Sequence, residues 1–84
     1  MMNATPEVLS LDALAPGEVG YIRRLEGGRG FMSRIATLGF TVGAEVRMVQ
    51  NYGRGPLIVM VRDSRVALGR GEAAKILVSK GEHV

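Results

Sequence analysis

Residues 31–50 read Phe31-Met32-Ser33-Arg34-Ile35-Ala36-Thr37-Leu38-Gly39-Phe40-Thr41-Val42-Gly43-Ala44-Glu45-Val46-Arg47-Met48-Val49-Gln50, and the apolar period changes within them. Phe31, Ile35 and Leu38 fall at i, i+4 and i+7, one face of a short helix. From Glu45 onward Val46 and Met48 alternate with Glu45 and Arg47, the pattern of a strand with one buried face. Between the two patterns, Gly39 stands where a helix exit takes a left-handed residue without a Cβ penalty, and Phe40 can fold back on Ile35 or Ala36. Gly43 then serves the turn into the strand.

Outward from this stretch the chain is cut into short segments by twelve glycines and three prolines, which suits small β-barrels better than helical bundles. On the N-terminal side, Ser10 to Ala15 has room for one helical turn before Pro16-Gly17, and Val19 to Glu26 reads as a strand ending at Gly27-Gly28-Arg29-Gly30. On the C-terminal side, Asn51 to Pro56 is a long turn. Leu57 to Arg62 is a strand, Asp63-Ser64 a tight turn, and Arg65 to Leu68 the antiparallel return. Glu72-Ala73-Ala74 supports one more helical turn, and Ile76 to Ser79 a last strand. The expected fold is mainly β: a five-stranded SH3-like barrel with one inserted short helix and one or two additional helical turns. Its domain spans residues 9–79, flanked by flexible termini at 1–8 and 80–84.

The 84 residues are room for one domain with a small core. With no cysteine, disulfides, thiolate nucleophiles and thiolate metal sites are excluded. Serine nucleophiles at Ser33 or Ser64 lack a base, since the single histidine, His83, is penultimate. The reading is therefore of a protein that is not an enzyme and needs no cofactor. Glu7, Asp12, Glu18, Glu26, Glu45, Asp63, Glu72 and Glu82 show no metal-ligand spacing with one another or with His83. Gly27-Gly28-Arg29-Gly30 lacks the Lys and spacing of a phosphate loop and reads as a turn. The net charge of +3 rests largely on nine arginines spread along the chain with acids between them, so there is no basic cluster for nucleic acid. The longest apolar run, Leu57 to Val61, is far short of the roughly 20 residues of a membrane span, and a cytoplasmic location is expected.

Three ordered anchors carry a resemblance: Leu9-Ser10-Leu11-Asp12-Ala13-Leu14 followed by Gly17; Arg34 to Val46 with its Leu38-Gly39-Phe40 exit and Gly43; and Val66-Ala67-Leu68 followed by Glu72-Ala73, Ile76 and Val78. Together they resemble the FeoA family, small SH3-like proteins that accompany the FeoB ferrous-iron transporter in bacteria. The resemblance implies a non-enzymatic accessory of ferrous iron uptake that docks on the cytoplasmic part of a FeoB-type transporter and modulates it, with only weak binding of transition-metal ions. The same barrel occurs, by resemblance, in metal-dependent repressors, so a metal-regulator-type domain is the alternative reading. The other alternative is a small nucleic-acid-binding barrel, motivated by the pI near 10.0.

The contact residues are placed by the third strand. Leu57, Val59 and Val61 face the core, which turns Ile58 and Met60 outward. Either the N-terminal turn with Leu9 and Leu11 packs across that pair, or the pair forms an apolar patch for a partner or a second copy. Tyr52 and Arg54, on the adjoining loop, are residue types enriched in interfaces.

Overall fold

Alternating apolar residues commit this chain to strands whose inner faces all need the same cover, and a curled sheet supplies it. In the computed structural model, which describes residues 7–81, the strands are β1 (Val8–Ser10), β2 (Val19–Leu25), β3 (Glu45–Gln50), β4 (Leu57–Val61), β5 (Ser64–Leu68) and β6 (Ile76–Lys80). Helix α1 (Arg29–Thr37) joins β2 to β3, α2 (Arg70–Ala73) joins β5 to β6, and a single 3-10 turn, Leu11–Ala13, follows β1. The strands form one antiparallel sheet in the order β1-β6-β2-β3-β4-β5.

The mainly β class and the order of elements are those expected, with six strands in place of five. The extra strand is β1, which pairs Val8 with Ser79 and Ser10 with Leu77. Three residues are too few to display a period of two, so this strand exists through its partner rather than through its pattern. Pairing thus takes in Val8 and Lys80, one residue beyond each end of the expected 9–79 core, and the Gly81 N–H donates to the Val19 carbonyl at 2.7 Å. Residues 1–6 and 82–84, with His83, lie outside the described residues.

One core collects the inner faces. Ile22 of β2, Val46 and Met48 of β3, Leu57, Val59 and Val61 of β4, Leu68 of β5 and Ile76 and Val78 of β6 are all buried in it. Leu11 and Leu14 close one part of it, while Ile35, Phe40 and Ala73 come from the helical segments. Burial of each large aliphatic side chain contributes about 1.5–3 kcal/mol, so the sum of these contacts, opposed by chain entropy, sets a modest stability. The β4–β5 hairpin differs from the expected turn in register. Its two loop residues are Arg62 and Asp63, both left-handed at φ 49° and 66°, and Val61 and Ser64 close it. Two positive φ values give the twist that matches the flanking strands, and Asp63 is a residue type that enters the left-handed region readily.

Candidate functional site

The outward face of β3, β4 and β5 follows from the registers. Arg47 lies opposite Met60, and Met60 opposite Arg65; one step along, Gln50 lies opposite Ile58, and Ile58 opposite Ala67. A β-bulge at Val49 brings Gln50 to this face, because one extra residue in β3 inverts the alternation beyond Met48. Ile58 and Met60 are half-buried by these neighbours, and neither belongs to the core cluster nor packs against it. Leu11 is instead fully buried in the core and Leu9 packs against the same cluster, so the N-terminal turn does not join the outward pair to the core.

Met60 forms part of the floor of a groove of about 1050 Å³. Its walls are the Thr41–Ala44 turn and the β4–β5 hairpin, with Arg47, Arg62 and Arg65 around Met60 and Val49. The turn is held by the Ala44 N–H donating to the Thr41 carbonyl at 2.9 Å and by the Gly43 N–H donating to the Ile22 carbonyl at 2.7 Å. Gly43 has φ +94°, the left-handed value its place in the turn demands, and the turn leaves Val42 67% exposed at the rim. Glu45 and Asp63 also line the groove, yet among the described residues neither lies within ion-pair distance of a guanidinium. Arg47, Arg62 and Arg65 therefore face solvent as unpaired cations, whereas Arg24 and Arg34 have carboxylate partners and Arg70 bonds Asn51.

The position of Arg62 is fixed from the helix side. Helix α1 ends in a Schellman motif: the Phe40 N–H donates to the Ile35 carbonyl at 3.1 Å and the Gly39 N–H to the Ala36 carbonyl at 3.0 Å. Phe40 and Ile35 are both buried in the one core, as the expected fold-back requires, and Gly39 has φ +102°. Leu38 is the C-cap residue and is partly exposed, so the inward stripe of α1 is Ile35 with half-buried Phe31. A Cβ on Gly39 would stand 3.2 Å from Cγ and Cδ of Arg62, so the bare glycine leaves room for the arginine stem.

Of the four residues singled out for contact, Met60 alone lines the groove. Ile58 is on the same face one cross-strand row away, while Tyr52, 77% exposed, and Arg54 sit on the 51–56 loop at the other end of β4. That loop is anchored by Asn51, whose sequence neighbourhood shows only its place in a turn. Its Nδ2 donates to the Asp12 and Leu14 carbonyls at 3.0 and 2.8 Å, and its Oδ1 accepts from Arg70 at 2.7 Å and from the Gly53 N–H at 3.1 Å. Nothing in the sequence pairs Arg47 with Arg65; their shared opposition to Met60 appears only in the strand register. Among the described residues no group of three or more His, Asp or Glu side chains converges, and no helix is long and apolar enough to cross a membrane.

Comparison with known proteins gives the same fold and a family. A family model described as the FeoA domain matches residues 9–80. A Methanocaldococcus jannaschii protein, provisionally named Fe(2+) transport protein A, is 33% identical over 67 residues, 80% of each chain. A crystal structure of an iron uptake regulatory protein, FeoA, superposes with TM-score 0.84 at 30% identity, covering 88% of this chain and 99% of that one. The zinc complex of Stenotrophomonas maltophilia FeoA, described as a procaryotic SH3 domain protein, superposes with TM-score 0.76 at 30% identity over 84% of this chain and 89% of that one. A manganese-dependent transcriptional repressor shares the fold, with TM-score 0.81 at 23% identity, across 44% of its own length.

Proposed function

The chain belongs to the FeoA domain family, and on that premise we propose that it is a non-enzymatic accessory of ferrous iron uptake that docks on the cytoplasmic side of a FeoB-type transporter and modulates it. Family membership is the observation that carries this reading, since close relatives are named for iron transport and uptake. The outward face of β3–β5 supplies the means. Ile58, Met60 and Val42 offer apolar area and Arg47, Arg62 and Arg65 offer orientation, the combination found at the centre and rim of protein interfaces. Modulation then requires only that the face bind one conformation of the transporter more tightly than another.

The test is co-purification of the tagged chain with its transporter from membranes, using wild type and the variant carrying Ile58→Thr and Met60→Thr. Each side chain gives up about 1 to 2 kcal/mol of association on leaving the interface, so capture should weaken by one to two decades or more. Thermal stability should change little, because neither side chain is part of the core cluster. Failure of the wild-type chain to co-purify would remove the docking reading. A variant that loses stability and keeps its binding would remove this face from it.

A further inference from the structure

The sheet ends at β5, and the register of its hairpin fixes which backbone groups that edge exposes. Val61 and Ser64 close a two-residue loop, so Val61–Ser64, Val59–Val66 and Leu57–Leu68 are the hydrogen-bonded pairs. The N–H and C=O of Arg65 and Ala67 therefore point away from β4. No other segment among the described residues takes them up. The side chain of Arg65 meanwhile belongs to the groove, with Arg47 two strands across at about 10 Å between backbones and Arg62 on the adjoining turn. An open strand edge and three unpaired guanidinium groups thus stand side by side.

We propose that the β5 edge and this groove together bind an extended acidic segment of a partner polypeptide, added to the sheet as a further antiparallel or parallel strand. The proposal rests on the docking reading and names the chemistry the partner presents. The backbone of the incoming segment completes the ladder at Arg65 and Ala67, and alternate side chains of the segment point to the groove side. Carboxylates at those places meet Arg47, Arg62 and Arg65 in bidentate geometry, which phosphate would also satisfy, but a phosphate has no use for the open edge. Apolar side chains between them point to the opposite face, alongside Val66 and Leu68 of β5. Glu45 and Asp63 at the lining disfavour a uniformly anionic polymer such as a nucleic acid, whose charges cannot be spaced to avoid them.

The experiment uses the full chain, isotopically labelled, and a capped peptide of alternating Glu and Val as the probe. Saturable amide shifts centred on Arg65 and Ala67 are expected, with dissociation in the sub-millimolar range and weaker binding as salt rises. The same peptide with Gln for Glu, and the protein carrying Arg47→Gln and Arg65→Gln, should each bind at least about tenfold more weakly. N-methylation of the peptide at alternate backbone nitrogens should abolish binding in one of its two registers only. Absence of shifts at millimolar peptide, shifts centred elsewhere, or equal binding by a single-stranded oligonucleotide would each overturn the proposal. Transporter capture by the Arg47→Gln, Arg65→Gln variant separates it from the docking reading: undiminished capture overturns the acidic-strand mode and leaves docking intact, whereas peptide binding without any capture by wild type does the reverse.

Discussion

Gly39 illustrates how much one residue can settle. Its φ of +102° strains any side chain, and its missing Cβ is the space along which the Arg62 stem runs. Gly39→Ala should therefore cost about 1 to 3 kcal/mol, measured as a shift of the denaturant midpoint. Adding Arg62→Ala should recover the part due to contact and leave the part due to φ; full recovery would show that the helix exit carries no strain. The glycine was legible in the sequence because helix exits have a local chemistry. Asn51 was not. Its four hydrogen bonds reach residues 12, 14, 53 and 70, and three of those partners are remote in sequence, so no window around Asn51 contains the reason for its type. Arg47 and Arg65 stayed hidden for the same reason, since a strand pattern tells which face a residue takes and not which residue lies opposite.

Among the elements, the strands with five or more residues and a clean alternation were readable, and β3 was located from Glu45 to Gln50 as the sequence suggested. What escaped was decided by partners: β1, held by β6, and the β4–β5 turn, held by twist. That turn places Arg62 and Asp63 in the left-handed region, which glycine, asparagine and aspartate tolerate and an arginine does not favour. Replacing Arg62-Asp63 with Asn-Gly should stabilise the fold by about 1 to 2 kcal/mol, visible as a higher melting temperature. Binding of the acidic peptide should weaken at the same time, because the turn then lacks one of the three guanidinium groups. An unchanged or lowered melting temperature would show that the native pair already fits the turn.

For the molecule as a whole, two carboxylates link stability to pH. Glu72 is held below its ordinary value of 4.5 by the Arg34 guanidinium and by the Gly69 N–H at 3.1 Å, a contact that also caps the start of α2. Glu18 is lowered by the Ala15 N–H at 2.8 Å and then by Lys80 at 2.9 Å. A carboxyl with a depressed folded-state pKa stabilises the protein above its unfolded value and loses that contribution as pH falls through the folded value. The melting temperature should therefore be nearly flat from pH 7 to 5 and decline below about 4.5. Glu72→Gln should be less stable than wild type at pH 7, with the difference closing near pH 3; a constant difference across that range would remove the linkage.

The pairing of Val8 with Ser79 also bears on how the fold is reached in time. During synthesis the first strand has no neighbour in the sheet until almost the entire domain has been made, so ordering of the N-terminal segment is deferred until β6 has emerged. Contacts of such long sequence separation pay their loop-closure entropy late, which places refolding in the range of milliseconds to seconds rather than microseconds. The β3–β4–β5 meander, whose turns are local, can form before that closure. Stopped-flow refolding should thus show Val8→Ala accelerating unfolding and leaving the folding rate almost untouched, the signature of a strand that docks after the rate-limiting barrier. A slowed folding limb would instead put the pairing of β1 with β6 inside the nucleus.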